Sequence, residues 1–179
     1  MSLKHALLGI IDIWNLSGYE LSKYFSKSVN LYWHATHVQI YKTLESLNNE
    51  GFIGHEVVEQ INVPNKKVYH ITDKGKNELK RWLKDETELP SFKETFLLKL
   101  SFVASLEIED ILNILKAYKN KLMQRIDELN MGQPSENVSF ARNDKEKYIW
   151  KMILKRGQSY YHHELEWLNE LISGLEKIN

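Results

Sequence analysis

The spacing of apolar residues changes along the chain, and each change marks an element. Leu3, Leu7, Ile10, Ile11 and Trp14 recur every three or four positions, which predicts a helix over about residues 3–14. Asn15 to Gly18 is a turn cluster with two possible N-caps, and a short helix follows over Tyr19 to Phe25, with Leu21, Tyr24 and Phe25 inward. Thr36 is placed to cap a third helix that runs to about Asn49, with Ile40, Leu44 and Leu47 on its core face. Gly51 stands where a left-handed residue ends such a helix. The period then falls to two. Ile53, His55, Val57, Glu59 and Ile61 alternate with their neighbours, and so does Lys67 to Ile71. Asn62-Val63-Pro64-Asn65 carries the turn residues between them, so the pair reads as a two-stranded hairpin. Thr72 caps a fourth helix with Leu79, Trp82 and Leu83 as its buried stripe.

The acidic, Pro-containing stretch over residues 85–91 reads as a linker, and everything beyond it has helical spacing. Phe92, Phe96, Leu97 and Leu100 mark a short helix, and Ile108, Ile111, Leu115, Tyr118, Leu122, Ile126 and Leu129 a long one. Gly132, Pro134 and Ser135 break it. A last helix from about Asp144 to Leu175 carries Ile149, Ile153, Tyr160, Trp167, Leu171 and Leu175. The fold class is therefore mainly α with a small β-hairpin. Residues 1–84 have the element order of a winged helix-turn-helix domain, and residues 92–179 form an α-helical domain.

In a winged helix-turn-helix the third helix docks one side on the core and offers the other to a major groove. With Ile40, Leu44 and Leu47 inward, Ala35, Val38, Gln39, Lys42, Glu45, Ser46 and Asn49 fall outward. Gln39 can pair with adenine, Val38 can touch a thymine methyl, and Lys42 can reach guanine or a phosphate. Thr36, His37, Tyr41 and Tyr19 lie on the flanks, where phosphates are met. Asn62, Asn65, Lys66 and Lys67 at the hairpin tip suit phosphates or a minor groove.

Composition sharpens this reading. The net charge is zero, but residues 1–84 hold 11 Lys/Arg against 8 Asp/Glu, and residues 85–179 hold 13 against 16. A mildly basic first half permits an anionic partner such as double-stranded DNA. The chain has no cysteine, which excludes disulfides, thiolate metal sites and cysteine nucleophiles. A Gly-rich phosphate loop and a nucleophile elbow are also missing, and the seven histidines lack ligand spacing, so no enzyme, cofactor or metal is expected. The longest early apolar run, Ala6 to Ile11, is too short for a membrane span, and the expectation is a soluble cytoplasmic protein.

Several blocks resemble the PadR family of bacterial transcriptional regulators. They are Leu3 to Ile10, Ser17-Gly18-Tyr19-Glu20-Leu21, Trp33, Gln39 to Leu44, Glu50-Gly51-Phe52-Ile53 and Lys67 to Gly75. Lys42 stands where the family often has Pro after the Ile-Tyr pair. The second half is similar to the helical C-terminal domain of the longer subfamily, through Glu164-Leu165-Glu166-Trp167-Leu168. The resemblance implies a homodimeric repressor on a palindromic operator. The long stripes agree: Leu115, Leu122, Ile149, Ile153, Trp167 and Leu171 are candidate dimer-seam residues, the alternative being a closed core within one chain. Five tryptophans and a cluster at Tyr160 to His163 suggest a small aromatic effector, with Trp14, Trp33, Arg156, Tyr160 and His163 as candidate contacts. The resemblance points to a phenolic acid. The competing class is a winged-helix protein–protein module without base readout.

Overall fold

The computed structural model describes residues 2–28, 33–61, 65–90, 94–130 and 141–178. Asn62, Pro64, Phe92, Gly132, Pro134 and Ser135, to which turn, helix or breaker roles were assigned above, lie outside the described residues. The chain divides into two compact units, residues 1–88 and 89–179.

The first unit runs α1 (Ser2–Ile13), β1 (Leu16–Ser17), α2 (Gly18–Ser28), α3 (His37–Asn49), β2 (Ile53–Val58), β3 (Lys66–Ile71) and α4 (Asp73–Trp82). The period-3.6 stripe of α1 is wide because α1 has neighbours on several sides. Leu7, Leu8, Ile10 and Ile11 are all buried, and the helix packs on α3, α4 and β3. Leu21 and Phe25 of α2, the three inward residues of α3, and Ile53 and Leu79 complete this core. Two outward and inward assignments change. Ala35 is half-buried and packs on the core, while Leu83 is 67% exposed because α4 ends at Trp82.

The hairpin is part of a three-stranded antiparallel sheet in the order β1-β3-β2. Leu16 pairs with Tyr69 and Ser17 with Val68, so the stretch read as a turn is also an edge strand. Two residues are too few to display a period of two. Glu59 and Ile61 fall beyond β2, which ends at Val58, and Ile61 is 90% exposed.

Both ends of the α3–hairpin–α4 segment are tied at Phe52. Gly51 has φ 74°, Phe52 N–H donates to Leu47 O at 2.9 Å, and Gly51 N–H donates to Asn48 O at 3.0 Å. This is the Schellman arrangement that glycine at C′ favours. Thr72 N–H donates to Phe52 O at 3.1 Å, its hydroxyl donates to Gly51 O at 2.8 Å with Phe52 O also within 3.0 Å, and Thr72 Oγ1 accepts from Gly75 N–H as the cap of α4. The first turn of α4 therefore sits on the Phe52 backbone, and a Cβ on Gly75 would overlap Phe52 O. At the far end of α4, His5 is buried, stacks on Trp82 at 4.6 Å and lies 3.1 Å from Glu78 Oε1.

The second unit contains α5 (Thr95–Leu100), a 3₁₀ turn (Val103–Ser105), α6 (Ile108–Asn130) and α7 (Asp144–Glu176). Asn143 caps α7, accepting from Glu146 N–H. Ile111, Leu115, Leu122 and Ile126 of α6 close on Leu168 and Ile172 of α7. Leu115 and Leu122, expected in a dimer seam, are instead 0% and 5% exposed inside this core. The amphipathic period fixes which side of α6 is buried but not what buries it. Trp167 and Leu171 are half-buried against the same core.

Gly75→Ala forces Phe52 O and the α4 start apart, and should destabilise the first unit by about 1–3 kcal/mol. A calorimetric melt checks this, and an unchanged midpoint contradicts it.

Candidate nucleic-acid interface

Helix α3 carries the candidate readout residues, and its N-terminus is built to hold them. Thr36 is extended, accepts from Gln39 N–H, and receives the reciprocal bond: Thr36 N–H donates to Gln39 Oε1 at 2.9 Å. This is a capping box. The Gln39 carbonyl is thus committed to the helix cap, and only its amide N–H groups remain for a partner. A two-pronged contact to adenine requires the carbonyl to leave the cap, which the outward position of Gln39 in the sequence did not reveal.

Val38 is 64% exposed, and Lys42, Glu45, Ser46 and Asn49 are exposed with it. The polar face is therefore continuous from the first turn. His37 is exposed, but its Nδ1 lies 2.7 Å from Ser22 Oγ, a buried hydroxyl of α2. That bond ties the start of α3 to α2 through one ring nitrogen of the histidine expected to meet a phosphate. Tyr41 is half-exposed and close to Gly18, where a Cβ would stand 2.7 Å from its ring. Tyr19, at the first turn of α2, is 65% exposed.

The hairpin is anchored through one carboxylate. Glu20 Oε2 accepts from Ser17 N–H at 2.9 Å and from Ser17 Oγ at 2.8 Å, while Oε1 accepts from Lys66 Nζ at 2.8 Å. The Lys66 bond, followed by the Ser17 bonds, holds the Glu20 carboxyl down at about 2. Lys66 is therefore paired to the start of α2, whereas Lys67 and Asn65 are exposed. Asn65 Oδ1 accepts from Gln60 N–H at 3.4 Å across the hairpin. Glu20 was missed as a site residue, although Ser17-x-x-Glu20 is a capping-box pattern legible in the sequence.

The candidate effector contacts divide. Trp14 packs on the first unit's core, edge-on to Tyr24 at 4.9 Å, and Trp33 is 42% exposed. Tyr160 lines a cleft of about 350 Å³ in the second unit, together with Glu94, Phe96, Tyr118, Tyr161 and Glu164. Arg156 and His163 are exposed and do not line it. The carboxylates beside Tyr160 are the protein's own, Glu94 and Glu164. Among the described residues no three His, Asp or Glu gather into a metal site, and no helix is long and apolar enough to cross a membrane.

Comparison with known proteins agrees with this geometry. Residues 7–81 match the transcriptional regulator PadR-like family, and residues 92–176 match the virulence activator alpha C-terminal family. The negative transcriptional regulator PadR of Bacillus subtilis (strain 168) is 31% identical, over 98% of this chain and 98% of the relative. Among solved structures, Bacillus subtilis PadR in complex with operator DNA superposes with a TM-score of 0.84 at 30% identity, covering 98% of this chain and 99% of that one. The same regulator in complex with p-coumaric acid gives 0.79 at 27% identity, covering 98% and 99%. With its capped α3, its wing tied to α2 and its helical second unit, this chain belongs to the PadR-like family of transcriptional regulators.

Proposed function

We propose that the protein is a homodimeric, sequence-specific DNA-binding repressor, released from its operator by a small aromatic effector. The single observation that carries the DNA part is α3, whose apolar stripe is spent on the core while Val38, Gln39 and Lys42 are exposed on its first turns. Residues 1–84 act as the DNA-binding domain and residues 92–179 as the dimerisation domain. Val38 and the Gln39 amide face base edges, and Lys42 reaches guanine or phosphate. Tyr19, Thr36, Tyr41, Asn65 and Lys67 meet phosphates, and Lys66 sets the angle of the wing through Glu20. The operator complex of the Bacillus subtilis relative supports this assignment.

Dimerisation is assigned to the first half of α7. Tyr148, Ile149, Met152 and Ile153 are 41 to 65% exposed and fall on one helix face. An uncovered apolar face of this kind in a soluble regulator calls for a second copy. Ile149 and Ile153 thus stay in the proposed seam, joined by Tyr148 and Met152, with Trp167 and Leu171 at its edge. The aromatic effector is supported by the p-coumaric acid complex of the same relative. A protein–protein module without base readout would lack any dependence on the first turn of α3.

Gln39→Glu separates the two readings. Glutamate keeps the capping box, so the melting midpoint should hold, while loss of the amide donors and the added charge weaken operator binding by about 1–3 kcal/mol. Fluorescence anisotropy on operator and scrambled duplexes measures this, and an unchanged affinity contradicts the readout role. Lys67→Glu should weaken binding to both duplexes alike and make the salt dependence shallower by about one unit of slope per subunit. A sequence-selective loss with an unaltered salt slope would contradict the phosphate contact.

A further inference from the structure

The cleft in the second unit has a chemistry of its own. Its floor is the Phe96–Tyr118 stack, with ring centroids 3.6 Å apart and planes 12° from parallel, joined by the edge-on pair Tyr160–Tyr161 at 5.2 Å. Two carboxylates close it. Tyr160 OH donates to Glu94 Oε1 at 3.1 Å, and Tyr118 OH donates to Glu164 Oε1 at 3.4 Å. Lys, Arg and His are absent from the lining among the described residues. Arg125 approaches from outside the lining: its guanidinium stands 5.9 Å from the Tyr161 centroid, hydrogen-bonds the Tyr161 side chain and is bound to Glu128 at 2.9 Å.

Two half-buried carboxylates facing one apolar space repel each other and lose hydration. Burial, then the facing Glu94, pushes the Glu164 carboxyl up, and burial with Glu94 pushes the Tyr160 phenol up to about 12. A positive charge between them relieves both costs, and aromatic faces attract the same charge. An aromatic carboxylate would add a third anion beside two carboxylates, and the phenols of Tyr160 and Tyr118 are already engaged by them. The volume of about 350 Å³ suits a ligand of one ring with a short side chain.

We propose that this cleft binds a small organic cation, a protonated amine attached to an aromatic or alkyl body, with the ammonium between Glu94 and Glu164 and the body on the Phe96–Tyr118 stack. The site is read without reference to DNA, so it stands whether or not an aromatic acid releases the operator.

Tyramine and p-coumarate form a matched pair of probes, each a phenol of similar size and opposite charge. Isothermal titration calorimetry on the full chain should give one tyramine per subunit with a dissociation constant below about 1 mM. An equal concentration of p-coumarate should not displace it. Glu94→Gln and Glu164→Gln should each weaken tyramine at least tenfold while their melting curves stay cooperative. Tyr160→Phe, which removes the phenol and keeps the ring, should weaken it by less than either. Tyramine that fails to bind at millimolar concentration, that is displaced by p-coumarate, or that binds the two glutamine variants as tightly as the parent overturns the proposal. Should a glutamine variant fail to fold, the displacement result on the unaltered chain decides alone.

Discussion

Everything in the first unit depends on α3 serving two environments at once. Ile40, Leu44 and Leu47 are essentially removed from water, and the burial of three such side chains contributes about 1.5–3 kcal/mol each. That gain holds the helix in one rotational setting. Any rotation that exposed the stripe would also bury Val38, Gln39 or Lys42. The solvent-facing side of α3 is therefore fixed by the core rather than by contacts of its own. The remaining degrees of freedom are closed by short polar ties: Thr36 and Gln39 at the N-terminus, Ser22 to His37 against α2, and the Gly51–Phe52 backbone turn at the far end.

The wing is set by a parallel economy. Glu20 caps α2 with one oxygen and holds Lys66 with the other, so a single carboxylate joins β1, α2 and β3. The arrangement makes Lys66 a structural cation and leaves its neighbour Lys67 as the one facing solvent. Adjacent lysines at a hairpin end thus have different tasks, separated by the strand alternation that points them to opposite faces.

What the sequence disclosed follows from what leaves a periodic trace. The α3 boundaries, its core stripe and the left-handed Gly51 were legible because caps, period and glycine agree at each point. Strand β1 was not, since two residues between a helix and a cap carry no alternation. The stripe of α6 was legible, but its partner was not: Leu115 and Leu122 meet α7 of the same chain, whereas Ile149 and Ile153 remain exposed. Periodicity records that a face is apolar and is silent on which surface covers it. The cleft lay further out of reach, because Glu94, Tyr118 and Glu164 come from three separated stretches and become neighbours only through packing. Gln39 and His37 were placed on the correct side of α3, but their hydrogen bonds to Thr36 and Ser22 are local geometry that a helical wheel does not contain.

The central claim is that two copies of α3, set by their cores and joined through the second units, enter major grooves on one side of a duplex. Hydroxyl-radical footprinting of the DNA upstream of the gene tests it most directly. The account predicts two protected half-sites related by a dyad, with centres one helical turn of about 34–36 Å, or a whole multiple of it, apart. A single unpaired protected patch, or even protection along random sequence, would contradict it.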